Sequence, residues 1–281
     1  MQFKLKNDAN ICLGHFKVPQ GLNELTSSDY IAFVERATPN NLFSDSRRIG
    51  IAYEQYLDLF GFKTMIFGRK LGARDMLNRD MPIGGAFRGF ASPKTGTGRL
   101  HIGTSIVYEN LMDNNEVIFS DNPEARDSKG GSIKFIGTKV TDVNQTLKPG
   151  IELLYINGPF LIEGEVFSAV INRNFYDSPL FYGYYLQSRY VITGENHSYS
   201  KGSYKGLNSN RESGAWEVAL RYSFADLNDA GITGGKQRNI SLGINYYLTS
   251  KIRFMGNVVF TDTDILETNP VLGVIRAQYT L

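Results

Sequence analysis

Apolar residues recur at every second position through most of the chain. In "AWEVALRYSFADL", Trp216, Val218, Leu220, Tyr222 and Phe224 share one face, while Glu217, Ala219, Arg221 and Ser223 share the other. A strand sends successive side chains to opposite sides, so each such run is a strand with one apolar and one polar face. "NISLGINYYLTSKIRFMGNVVF" reads as a hairpin turned at Thr249 and Ser250. Its apolar face runs from Ile240, Leu242, Ile244, Tyr246 and Leu248 into Ile252, Phe254, Gly256, Val258 and Phe260. The closing "VIRAQYTL" sets Ile275, Ala277, Tyr279 and Leu281 against Arg276, Gln278 and Thr280. Similar runs lie near residues 9–17, 47–56, 58–69, 82–92, 99–110, 150–158, 160–172 and 181–193. The pattern predicts about 13–14 strands, several near the ~9–11 residues of a membrane-crossing strand.

Connections alternate in length. "SPKTGTG", "NGPF" and "LTSK" are short; residues 111–149, 173–179, 226–237 and 262–270 are longer and polar. Short turns at one end and long loops at the other describe a transmembrane barrel. Residues 194–213 break this rule, being long where a short turn is expected. "TSSDYIAFVERATP" predicts a short helix or structured loop, with Ser28 as N-cap, Ile31, Val34 and Glu35 at helical spacing, and Pro39 closing it. The expected architecture is all-β: one domain over residues 1–281, an antiparallel up-and-down β-barrel with an insertion at about 22–46. A soluble sandwich fits less well. Charges stand at strand centres on the polar face, and Tyr and Phe gather near strand ends.

Composition alters this picture little. Lys plus Arg is 30 and Asp plus Glu is 28, a net charge of +2, so bulk charge does not argue for nucleic acid. Mean hydropathy is −0.24, the value of a soluble chain. Average hydropathy misses a membrane barrel, whose inward residues are polar. No apolar run reaches the ~18 residues of a spanning helix. Cys12 is the single cysteine, so no intrachain disulfide or thiolate metal cage forms, and it reads as an inert strand residue. "MQFKLKNDAN" has no apolar signal-peptide core.

Catalytic signals are weak. His15, His101 and His197 are far apart with no metal-binding spacing, and no G-x-S-x-G elbow occurs. "HIGTSIVY" puts His101, Gly103 and Ser105 on one face; stacked polar residues inside a barrel explain it better than a Ser–His pair. "TGTGR" at Thr95 to Arg99 has no helix after it, so it is no phosphate loop. Residues 111–149 mix acids and Lys without repeats or aromatic clusters, and so offer no adhesin-like binding surface. No enzyme, metal or cofactor is expected.

"LGHFKVPQGLNELTSSDYIAFVERATPNNLFSDSRRIGIAY" resembles the phosphate-selective porin O and P family of Gram-negative outer membranes. Gly14, Phe16, Lys17 and Pro19 match its first motif, with His15 in place of Gln. Leu25, Thr26, Ser27, Ser28, Phe33, Glu35, Arg36, Pro39, Arg47, Arg48 and Gly50 match the rest. "NGPFLIEGE", "FYGYYLQSRYVITGEN", "GAWEVALRYSFADLND" and "GINYYLTSKIRFMGNVVF" extend the resemblance over nearly the whole chain. It implies a 16-stranded trimeric barrel in the outer-membrane lipid that passes phosphate or related anions. Against that pattern the chain begins at about the fourth strand without the signal peptide, the expectation for an N-terminally truncated product, a fragment or a mis-started reading frame. The alternatives to a phosphate pore are then a general, weakly selective diffusion porin or a non-conducting truncated barrel. The stretch "RKLGARDMLNRDMPIGG" is short for an inward-folded constriction loop.

Arg suits such a path because its planar fork donates two hydrogen bonds and stays charged. By alternation Arg48, Arg88, Arg99, Arg189, Arg221, Arg253, Arg276 and Lys251 face the lumen. Arg47 sits where the incoming loop bends, and is expected to reach the lumen too. By resemblance Arg47 and Arg48 join the anion-binding constriction, and Lys17 matches another basic position. Glu54, Glu163, Glu165 and Glu217 are expected on the same inner face, where some arginines pair with them.

Overall fold

The computed structural model describes residues 1–68, 82–125, 134–208 and 214–280. Strands β1 (Gln2–Lys4) and β2 (Ala9–Lys17) precede two short helices, α1 (Leu22–Leu25) and α2 (Thr38–Phe43). Strands β3 (Arg47–Tyr56), β4 (Phe60–Phe67), β5 (Ile83–Ala91), β6 (Lys94–Thr95) and β7 (Gly98–Asp121) follow. Then come β8 (Ile136–Asn157), β9 (Phe160–Arg173), β10 (Leu180–Val191), β11 (Asn196–Ser200) and β12 (Ser203–Asn208). The chain ends with β13 (Ala215–Asp229), β14 (Ile232–Tyr247), β15 (Ile252–Thr263) and β16 (Val271–Tyr279). One antiparallel sheet takes these strands in chain order, with β6 a side branch that pairs with β7 alone; β11 and β12 form a separate hairpin. Most strands turn back directly on their predecessors over short connections, while β2–β3 and β10–β13 pair across longer ones.

The two faces of the wall are inverted relative to a soluble protein. Ile51, Ile66, Ile106, Ile151, Leu186, Leu220, Leu242, Val258 and Ile275 are exposed. The residues between them, Arg48, Glu54, Arg88, Glu152, Arg189, Arg221 and Asn245, are buried. Oily side chains outward and charges inward are favourable where the solvent is hydrocarbon, and hydrogen bonding between neighbouring strands spares the backbone an unpaired group there. Outward aromatics form clusters, with Tyr184 5.4 Å from Phe224 and Trp216 stacked on Tyr246 at 4.5 Å.

Turns 57–59, 92–97, 158–159 and 248–251 lie at one end of the barrel. At the other end, residues predicted as long loops are largely strand. β7 and β8 run on to Asp121 and back from Ile136, and β13 and β14 meet across Ala230 and Gly231, both at positive φ. The hairpins continue beyond the bilayer, where both faces meet water or protein, so the apolar alternation that marked the lower strand halves fades. Of the two readings of residues 28–39, a short helix or a structured loop, the structure has the loop over residues 28–36. Residues 28–36 are turns and bends, and Pro39 opens α2 instead of closing a helix. Proline is at home in a first helical turn, where its missing N–H has no partner to lose.

Leu242 stands near mid-height on the outer face, five residues before the end of β14. Leu242→Arg is expected to lower the folding free energy in phosphocholine vesicles by about 2–4 kcal/mol, read from denaturant titration.

Candidate functional site

Residues 18–46 leave the top of β2 and fold back inside the barrel. The N–H groups of Leu22 and Asn23 donate to the Glu165 carboxylate at 2.5 and 3.1 Å, and the Asn23 amide donates to Glu163 at 2.7 Å. These are the unpaired donors that open a helix, and an anion is the partner they favour. Further on, Ala37, Leu42 and Phe43 pack among Phe119, Phe167 and Phe181 of the surrounding wall. Gly183 makes room for this: a Cβ there would stand 2.9 Å from Pro39 and 3.0 Å from Phe43. Burying Phe43 contributes about 1.5–3 kcal/mol toward holding the segment in place.

Between the helices, the wall takes over the backbone hydrogen bonds. Arg189 donates to the Tyr30 carbonyl at 3.1 Å, Arg253 to Ile31 at 3.0 Å and Arg221 to Glu35 at 3.1 Å. Asn245 donates to the Ala32 carbonyl at 2.9 Å, and the Val34 N–H donates to Asn257 at 2.7 Å. This is why the segment is not helical: carbonyls that a helix would bond internally are held by side chains from β10, β13, β14 and β15.

Most of the predicted inward arginines also meet carboxylates. Arg48 binds Glu109 at 2.9 and 3.0 Å, and Arg189 binds Glu217 at 2.8 and 3.2 Å, both two-pronged. Arg88 reaches Glu152 at 2.6 Å and also donates to the Gly202 carbonyl. Arg221 reaches Glu124 at 2.5 Å. Glu54 pairs with Lys63 at 3.0 Å, while Glu163 and Glu165 flank the Tyr185 hydroxyl at 2.8 and 2.6 Å. Glu109 and Glu124 come from distant segments and carry no local motif, so spacing alone could not have found them.

Three predicted cations are placed differently. Arg47 is exposed and in phase with Ile49 and Ile51, so alternation carries it to the outer face at the rim, while Arg48 turns inward. Lys251 lies in the exposed turn between β14 and β15, not on a strand. Lys17 tethers the inward segment, 3.4 Å from the Glu24 carboxylate that also meets Arg36 at 3.2 Å. Arg253, Arg276 and Arg99 have no ion pair with a described carboxylate. Arg253 is buried; besides Ile31 it donates to Tyr247 and Gln278 at 3.2 and 2.9 Å, and its Nε donates to no described group. Arg276 points to the same inner face from β16, where its pairing with Met255 puts it diagonally beside Arg253.

Residues 196–208 of the long connection form a second inward element. The β11–β12 hairpin enters from the short-turn end, and Tyr204 meets Tyr30 of the first segment edge-on at 6.4 Å. His101 anchors it, with Nδ1 at 2.5 Å from the Tyr199 hydroxyl and Nε2 at 2.9 Å from Glu152. Both ring nitrogens are thus engaged away from Ser105. The stretch Arg69–Met81, where a constriction loop was sought, lies outside the described residues; within them, residues 18–46 fold inward from the long-loop end.

A sequence model of the family described as "Phosphate-selective porin O and P" matches residues 1–281. Porin O of Pseudomonas aeruginosa is 24% identical over 295 residues, covering 94% of this chain and 67% of that protein. An uncharacterized protein of Caulobacter vibrioides is 26% identical over 242 residues, covering 81% of this chain; the chain spans 48% of that relative's length. Among solved structures, in-vitro folded OmpT, an outer membrane protein of Vibrio cholerae, superposes with a TM-score of 0.56 at 14% identity, over 97% of this chain and 76% of that one. At that identity the likeness is one of fold.

Arg221→Ala would leave buried Glu124 without its cation and release the Glu35 carbonyl. It is expected to cost about 3–5 kcal/mol and to speed protease cleavage within residues 28–36. Asp121 ends β7 beyond the membrane-spanning part and accepts from the Asn41 amide of α2 at 3.1 Å. Burial pushes its carboxyl up to about 7, against the opposing pull of Asn41. A raised acid is most stabilising when protonated, so its contribution is lost as pH rises toward and through 7. Amide exchange of residues 38–44, corrected for intrinsic rates, is expected to be slower at pH 5 than at pH 8, and Asp121→Asn to remove the difference.

Proposed function

The chain belongs to the phosphate-selective porin O and P family, and we propose that it conducts anions passively across the bacterial outer membrane. Membership places it in that membrane and among channels rather than enzymes. The finer reading is passage of phosphate or polyphosphate through one protomer of a homotrimer. A selective pore needs binding strong enough to admit an ion and weak enough to release it, spread over several sites. Cations already bound to carboxylates serve this poorly, because an entering anion must displace a better partner.

The observation that carries the proposal is Arg253. Its buried guanidinium meets only neutral acceptors, and Arg276 stands diagonally beside it on the same face. Asp29 and Glu35 of the inward segment act on Arg276 electrostatically, against the repulsion of Arg253. A two-pronged oxyanion fits the free edge of such a pair. Arg99 supplies a further cation near the short-turn end. Arg48, Arg88, Arg189 and Arg221 brace the wall and the inward segments in this reading. Their four ion pairs also support a second reading, a weakly selective diffusion porin whose inner charges cancel.

In planar bilayers under a potassium chloride gradient, an anion-selective reversal potential is expected, with added phosphate blocking the chloride current. The double variant Arg253→Gln, Arg276→Gln is expected to raise the half-blocking phosphate concentration about tenfold, and Arg47→Gln to leave it unchanged. Open channels with a reversal potential near zero and no block would favour the diffusion porin.

A further inference from the structure

Where the two inward segments leave the lumen open, the wall is lined by aromatic rings. Tyr56 of β3, Phe90 of β5, His101 of β7 and Tyr199 of the hairpin form a continuous series, with successive centroids 6.4, 5.0 and 5.6 Å apart. Each of three rings carries a cation over it: Lys201 5.5 Å from Tyr56, Arg88 5.2 Å from Phe90 and Arg99 5.4 Å from Tyr199. Apart from His101, which is buried behind them, these groups border two recesses of about 640 and 260 Å³ that share Tyr56, Phe90 and Lys201. The volumes suit a small organic molecule.

The charges are graded along the series. Lys201 lies 3.6 Å from Asp8, Lys63 3.0 Å from Glu54, and Arg88 is held by Glu152. Lys205 borders the smaller recess, Arg99 the larger, and neither pairs with a described carboxylate. Each recess therefore combines a ring surface with one cation that no described carboxylate holds, Arg99 donating to the Ser92 carbonyl at 3.0 Å; Asp8 and Asp58 also border the larger recess. Inorganic phosphate uses the cation but gains nothing from a ring face, and the Tyr56 and Tyr199 hydroxyls are already engaged by Glu54 and His101. An anion with a planar ring uses both: offset stacking on Tyr56 or Tyr199, and a charge-assisted hydrogen bond to Lys205 or Arg99.

We propose that these two recesses form a binding track for ring-bearing organic anions of the aromatic carboxylate class. The track rests on the reading that the lumen admits anions, and adds a substrate class to it. Tyr56 and Tyr199 select for the ring; Lys205 and Arg99 select for the carboxylate.

The test is calorimetric titration of the folded full chain in amphipol with sodium benzoate, sodium acetate and sodium phosphate, each corrected against empty amphipol. Benzoate is expected to bind saturably and about tenfold more tightly than acetate or phosphate. Lys205→Ala, an exposed site, and Tyr199→Leu are each expected to weaken benzoate severalfold, the second without changing acetate. Benzoate binding no tighter than acetate, or a benzoate affinity indifferent to Lys205→Ala, would overturn the track. Titration needs no conduction, so the two readings fail separately. A phosphate-blocked, anion-selective channel without benzoate preference loses only the track; benzoate preference without anion-selective current loses only the conduction.

Discussion

Hydrocarbon offers no hydrogen bonds, and this one constraint organises the molecule. Backbone groups inside the bilayer must pair with neighbouring strands, and outward side chains must be apolar. With a two-residue alternation, that demand sends every second residue inward, so the wall's charges collect on its inner face. Arg48, Arg88, Arg189, Arg221 and Arg253 are buried for this reason and not because they belong to a hydrophobic core.

Charges gathered in a narrow space have to be satisfied. The inward segment 18–46 does much of this work while being held by it. Glu165 takes the N–H groups that open α1, and Arg189, Arg221 and Arg253 take carbonyls from the stretch between the helices. Removing either partner of a buried pair leaves an isolated charge, which costs far more than the pair contributes. The segment and the wall are therefore mutually dependent. A loop without regular secondary structure is held on one path by side chains from four strands.

The same arrangement divides the lumen. The segment from the long-loop end lies along β10 to β15, and the β11–β12 hairpin rises from the short-turn end toward β3, β5 and β7. Space remains along the aromatic side of the wall, bordered by Tyr56, Phe90 and Tyr199. Arg48, Arg88, Arg189 and Arg221 are paired with carboxylates, whereas Arg253 braces the segment through neutral groups alone and Arg99, Lys205 and Arg276 meet no described carboxylate in an ion pair. Cations held by carboxylates and cations without them thus line the same interior, Lys205 from the β11–β12 hairpin and the others from the wall.

The strands were legible in the sequence because their alternation is local and the bilayer enforces it: β9, β10, β13 and β15 lie close to where the pattern put them. Chain-order pairing and the inward phase of Arg88, Arg189, Arg221 and Arg253 follow from the same signal. Tertiary structure alone decided what those arginines touch. Glu124 meets Arg221 and Glu109 meets Arg48 across separations of 97 and 61 residues, which no local period encodes. It also decided that residues 28–36 would forgo a helix, since their carbonyls are claimed by a wall far away in the chain. The hairpin at residues 196–208 was visible only as a connection too long for its end of the barrel. Its place beside His101 depended on ring packing and on the space that the first segment left open.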